Sequence, residues 1–202
     1  MPGQIDLHSP FGSNIYNLAK DPKYKTFLDV GTWNGEGSTL CLYEAVADRE
    51  DAYITSIESD KRMCQIASDF WKRVSPPRLR IVHGTLSRYI MGKEIIMKDP
   101  LFHVVKNHFD LYYDKDVQNL REAPLLNLDG DFDFVVLDGG EFSGKCDFDV
   151  VMKLKPKVIA LDDINVMKNN YAYNYLLMDR GKWELHSKGN DRNGWAIFTA
   201  RH

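Results

Sequence analysis

The sequence predicts an α/β domain: a doubly wound, mostly parallel sheet of seven strands flanked by helices, closing with an antiparallel strand. Three observations carry this prediction. Short apolar runs alternate with helix-like segments from Thr26 onward, at the spacing of right-handed crossovers. A cluster of glycines (Gly31, Gly35, Gly37) falls where the first strand gives way to the first helix. The last two strand-like runs, Trp183–His186 and Trp195–Ala200, are joined only by a polar turn, which suits an antiparallel pair.

In order, Thr26–Val30 (TFLDV) is the first strand, and Ser38–Ala47 changes to helical spacing. Tyr53–Ile57 (YITSI) is the second strand. A helix over Lys61–Val74, with Asp60 as its cap, is stopped by Pro76-Pro77. Leu79–Val82 is the third strand. Residues 86–130 break the rhythm as an enlarged crossover, with helical character over Ile90–Lys98 and Phe102–Phe109, an aromatic and acidic stretch at Asp110–Asp116 and a loop at Glu122–Leu128. Such an insertion either shapes a substrate pocket or forms a dimer surface. Phe132–Leu137 (FDFVVL) is the fourth strand, Cys146–Leu154 the next helix, Val158–Leu161 the fifth strand, and Tyr171–Leu177 a helix with an aromatic stripe. Asn193-Gly194 reads as a turn and nothing more.

At 202 residues and 23.3 kDa the chain is long enough for one well-buried core. Residues 25–202 are therefore expected to form one domain, preceded by a leader over residues 1–24. His8, Ser9 and Gly12–Tyr16 in that leader either fold over a bound ligand as a lid or pack passively. The net charge of -3, with both signs mixed along the chain, gives no support to a nucleic-acid partner. Cys41, Cys64 and Cys146 stand singly, without a CxxC pair, and read as reduced thiols of a cytoplasmic protein. No run is apolar enough to span a membrane, and MPGQIDLHSP lacks the order of a signal peptide. Tyr112, Tyr113, Tyr171, Tyr173 and Tyr175 make a homodimer an expectation.

The glycine turn is not a phosphate loop, since no Gly-Lys-Ser/Thr follows, and Trp33 stands where the dinucleotide fingerprint needs its middle glycine. Glu58 comes directly after the second strand, where an acid accepts hydrogen bonds from ribose hydroxyls; the alternative is a helix-start carboxylate, a role that suits Asp60 better. Two successive parallel strands end in carboxylates, Asp138 on one and Asp162-Asp163 on the next. Strands about 4.8 Å apart bring these acids together. A divalent oxygen-loving cation such as Mg²⁺ would relieve their repulsion, with Asn165 as a further oxygen. The alternative is a helix cap at Asp162 or Asp163. Glu141, three residues past Asp138, points toward the same space as a proton acceptor or a further ligand. His83, His108 and His186 are other candidate bases.

The order of elements from Phe27 to His202 resembles the class I S-adenosylmethionine-dependent methyltransferases, whose fold is Rossmann-like. Within them it is most similar to the small sugar and antibiotic O-methyltransferases, and more distantly to the catechol type. "FLDVGTWNGEGST" resembles the first motif, which implies cofactor contacts from Asp29, Gly31, Thr32, Trp33, Gly35 and Ser38. "ITSIESD" resembles the second, implying Glu58 and Ser59, and "VHGTL" holds the third-strand position of Gly84 and Thr85. "FVVLDGGEF" matches the fourth, with Asp138 as cofactor contact, catalytic group and first metal ligand. "VIALDDIN" matches the fifth, with Asp162 and Asp163 as the remaining ligands. Relatives often carry histidine where this chain has Glu141, so the general base stays open, and no catalytic lysine can be transferred.

The resemblance implies S-adenosylmethionine as methyl donor and a hydroxylated small molecule as acceptor, with a metal able to acidify one of two vicinal hydroxyls. Two other classes compete. A nicotinamide-dependent dehydrogenase shares the sheet and the ribose acid, but not this glycine pattern or these acidic strand ends. A non-catalytic S-adenosylmethionine-binding or partner subunit is compatible with Glu141. An RNA methyltransferase lacks its basic aromatic run here.

Overall fold

Strand β1 (Thr26–Val30) lies near the middle of the sheet and is buried on both faces, as a parallel strand covered by helices must be. It pairs in parallel with β2 (Tyr53–Glu58) on one side and β4 (Phe134–Leu137) on the other, Phe27 lying opposite both Ile54 and Phe134. Outside these run β3 (Leu79–His83) and β5 (Val158–Asp162), also parallel. The order is β3-β2-β1-β4-β5-β7-β6, in which β6 (Trp183–Gly189) takes the far edge and β7 (Trp195–Ala200) inserts between it and β5. β7 runs antiparallel to both neighbours. The chain reverses its direction of travel between β1 and β4, so a crevice opens at their carboxyl ends. The structure is a computed structural model and describes residues 5–201; residues 1–4 of the predicted leader and residue 202 of the predicted domain lie outside the described residues.

Alternation along the strands divides the core in two. Phe27, Ile54, Phe134, Val136, Val158 and Ile197 face α1 (Pro10–Ala19) and α2 (Ser38–Val46). Leu28, Val135, Leu137, Ile159, Leu161 and Phe198 face α7 (Gly144–Val151) and α8 (Met167–Met178). Helix α3 (Lys61–Lys72) is capped as expected by Asp60, whose Oδ1 accepts from the amides of Arg62 and Met63. Among the described residues no helix is long and apolar enough to cross a membrane, and the three cysteines are free thiols.

The structure takes the packing alternative for the described part of the leader and departs from the sequence expectations inside the enlarged crossover. The leader contributes a core helix: Ser9 caps α1 by accepting from Gly12 N at 3.1 Å, Pro10 takes the first turn, and Phe11 stacks on Trp195 at 5.3 Å. Inside the enlarged crossover, α4 (Lys93–Lys98) and α5 (Phe102–Val105) are followed by α6 (Phe109–Glu122), a helix of 14 residues that the spacing did not announce. Its buried positions are Phe109, Asp116 and Leu120, too sparse a stripe to mark a helix against the core. Phe109 joins Ile96, Val105, Phe142 and Met167 in a small satellite core that fixes the crossover over the carboxyl edge.

Candidate functional site

The glycine turn owes its form to close packing. Gly31 has φ +103, and a Cβ on it would lie 2.1 Å from the carbonyl oxygen of Asp138. The missing side chain lets the ends of β1 and β4 touch, and Asp138 N donates to Val30 O at 2.8 Å. Gly35, at φ +87, packs against Trp71, whose indole donates to Gly35 O at 3.0 Å. Beneath the turn the Asp29 carboxylate accepts from Ser38, Thr39 and Ser56 at 2.7, 2.5 and 2.8 Å. Full burial pushes Asp29 up to about 6, against the pull of those three hydroxyls. Because Ser38 and Thr39 open α2, this acid ties the helix start to the sheet.

A cavity of about 440 Å³ lies above that edge, within the range that holds a drug-sized ligand. Glu58 stands in its wall at the end of β2. Its Oε2 accepts from Trp33 N at 2.7 Å and its Oε1 from Asp60 N at 2.8 Å, which fixes the carboxylate while leaving lone pairs for hydroxyl donors. Burial raises Glu58 to about 7, with the two amides opposing. Trp33 has φ 51, a left-handed conformation unusual for a bulky residue. Lys115 of α6 reaches over its ring, 5.2 Å from the centre, and pairs with Asp60 at 3.5 Å. Tyr112, Lys115, Asp116 and Asn119, spaced along one face of α6, complete the wall. The enlarged crossover thus shapes the pocket.

At the other end, Asp138, Asp162 and Asp163 present oxygens within 4.8 Å of one another. Lys168 from the first turn of α8 enters this group: its Nζ donates to Asp138 Oδ1 at 2.5 Å and to Asp163 Oδ2 at 3.1 Å. Arg192 Nη2 stands 3.2 Å from Asp162 Oδ2 and 3.8 Å from Asp163 Oδ1, and Asn193 donates to Asp163 Oδ1 at 3.0 Å. Asp163 is held at φ 55, so a strained residue aims its carboxylate at three partners. Burial pushes Asp138 upward and Asp162 to about 7, the latter also through the neighbouring carboxylates. Burial acts the same way on Asp163, but Lys168, Asn193 and Arg192 outweigh it and hold that carboxyl below its usual value. The ammonium of Lys168 is kept charged by Asp138 and Asp163 in spite of its own burial. Three oxygen-rich acids are the donor chemistry of a hard cation. With Lys168 seated between two of them, however, the set as arranged does not fit a divalent ion.

Gly31, Thr32, Trp33, Ser38, Glu58, Ser59, Gly84, Thr85, Asp138, Glu141 and Asp163 all line the cavity. Asp29 lies below the wall, a strut under the turn where the motif implied a contact, and Gly35 lies behind it against Trp71. Asp162 is buried at the back of the acidic group. Neither Asp162 nor Asp163 caps α8, which starts after Val166. Asn165 is exposed, its amide bonded to Asn193 O. His83 is tied to Ser59 O, and His108 and His186 are exposed; none of the three lines the cavity. Residues that the sequence reading passed over are Lys168, Arg192, Asp116 and Asp147. Asn193-Gly194 is more than a turn, since the hairpin between β6 and β7 carries Arg192 and Asn193 to the acids. Lys168 had one signal, its place five residues after Asp163 at the start of the next helix; Arg192 had none.

The architecture is Rossmann-like, a fold it shares with solved methyltransferase structures. Solved structures with this fold include the O-methyltransferase of Bacillus cereus in complex with SAH (15% identity, TM-score 0.63, covering 98% of this chain and 84% of that one). Others are the SAH-bound Podospora anserina methyltransferase PaMTH1 (16%, 0.59, 95% and 78%) and TomG from Streptomyces achromogenes (14%, 0.61, 98% and 82%). TomG is an O-methyltransferase involved in tomaymycin synthesis, in complex with SAM. No family model and no curated protein sequence matches the chain.

Proposed function

We propose that this protein transfers a methyl group from S-adenosylmethionine to a hydroxyl of a small molecule. The observation that carries the reading is Glu58, clamped by two backbone amides in the cavity wall beside the Gly31 turn. Its free lone pairs suit the paired hydroxyls of a ribose. Gly31, Thr32, Trp33 and Ser38 would hold the methionine and ribose part of the donor, and Ser59, Gly84 and Thr85 the adenosine part. SAM or SAH in the Bacillus, Podospora and Streptomyces structures supports this assignment.

The acceptor half lies between Asp138, Glu141, Asp163 and Lys168. Methyl transfer from a sulfonium is an in-line displacement, so these residues align the acceptor, exclude water and take its proton. Glu141 is the proposed proton acceptor. Burial raises its carboxyl, Lys168 opposes, and Asp163, Asp116 and Asp138 add to the rise, which brings it toward the range useful for a base. Calorimetric titration with S-adenosylmethionine and its demethylated product tests the donor assignment. Binding by the native protein and its loss in Glu58→Ala are expected; a folded protein that binds neither ligand would sink the proposal. Glu141→Gln should then retain donor binding while methyl transfer, followed with a panel of hydroxylated acceptors, falls ~100-fold or more.

A further inference from the structure

We infer that the ammonium of Lys168 takes the place of a divalent cation among Asp138, Asp162 and Asp163, and that it grips a single acceptor hydroxyl. The inference rests on the methyl-transfer reading above and adds to it the class of acceptor and the absence of a metal requirement. A magnesium ion bound to Asp138 and Asp163 would lie about 2.1 Å from one oxygen of each. Lys168 Nζ already lies 2.5 and 3.1 Å from such oxygens, so the ion and the ammonium would contend for the same space. Lys168 does not reach in from solvent, its side chain being only 11% exposed. Arg192 meanwhile faces Asp162. Three acids are thus set against two cations from the chain itself, and the repulsion that a metal would relieve is already countered.

An ammonium group has three N–H donors. Two go to Asp138 and Asp163, and Lys168 lines the cavity, so one remains for a ligand oxygen there. A metal with open coordination positions chelates two vicinal hydroxyls; one remaining N–H holds one oxygen. The acceptor is accordingly engaged through a single hydroxyl, with no need for a neighbouring one. As the oxygen forms its bond to the methyl carbon, the S–C electron pair returns to sulfur and the sulfonium becomes a neutral thioether. The hydroxyl proton passes to the Glu141 carboxylate, while Lys168 keeps its proton and stabilises the developing negative charge on oxygen.

Titration of the whole protein with Mn²⁺, followed by electron paramagnetic resonance, tests this with calorimetric binding of the demethylated donor on the same samples. The native protein should show no saturable Mn²⁺ site. Lys168→Met should gain one, Lys168→Met with Asp138→Asn should lose it again, and Lys168→Arg, which keeps the positive charge, should stay free of Mn²⁺. Saturable Mn²⁺ binding by the native protein that Asp138→Asn abolishes overturns the inference, whatever the variants do. So does a Lys168→Met protein that binds the demethylated donor yet gains no Mn²⁺ site. If the native protein binds no demethylated donor, the methyltransferase reading fails, and that result is separate from the Mn²⁺ arm. Turnover of monohydroxyl acceptors should be unchanged by a chelator, whereas a strict need for Mg²⁺ counts against Lys168 in this role.

Discussion

Burial raises several acids of this edge alike, and Asp147 shows what such a shift does to stability. Asp147 sits against Ser143, which donates to it at 2.8 Å, and burial raises it from 3.8 to about 7. The native state therefore holds this proton to a higher pH than the unfolded chain does. Its contribution to stability is complete below the unfolded value and is lost as pH rises through about 7. Asp147→Asn should remove that slope, gaining ~1 kcal/mol or more relative to native on going from about pH 5 to about pH 8, as read by urea unfolding at both. Gly31 supplies a second test. Gly31→Ala would drive a methyl group into the Asp138 carbonyl at a positive φ. A loss of ~2 kcal/mol or more is expected in the same assay, together with weaker donor binding.

At the scale of elements, α1 and α6 show what patterning reveals and what it hides. The strands were plain from β-branched runs bounded by glycine, proline and charge, because burial on both faces leaves no choice of residue there. The end of β4 was legible for the same reason. α1 was hidden by its place ahead of the sheet, although Ser9-Pro10 is a good helix start. Its role in the core predicts that Phe11→Ala costs ~3 kcal/mol or more of stability, against the few tenths expected if the segment were a loose flap. α6 escaped notice because one of its faces turns to the cavity, where Lys115, Asp116 and Asn119 replace the apolar residues that would mark an amphipathic helix. The cavity wall from Gly31 to Thr85 was readable since it lies at the ends of β1, β2 and β3, three successive strands local in sequence. The acidic end joins Asp138, Lys168 and Arg192 from three separate segments, and a cation's place there depends on folded geometry rather than on spacing.

Across the whole molecule, stability is expected to be graded. β1, β4 and β5 lie inside the sheet between both halves of the core, while α4 and α5 are one or two turns long and expose Ile95, Met97 and Val104. Hydrogen exchange should find the slowest amides in the central strands and the fastest opening in the crossover helices; equal protection in both would refute this division. The place of β7 also governs how the chain can assemble. It follows β6 in sequence yet lies between β6 and β5. As the polypeptide leaves the ribosome, β6 has no strand to pair with until β7 has emerged, and β5 waits with an open edge. The turn that joins them brings Arg192 and Asn193 to Asp162 and Asp163, so closure of the sheet also completes the set of partners around these acids, to which Lys168 of α8 already belongs. A nascent chain halted before Trp195 would carry a bare edge on β5 and would hold Arg192 without the hairpin that seats it against Asp162.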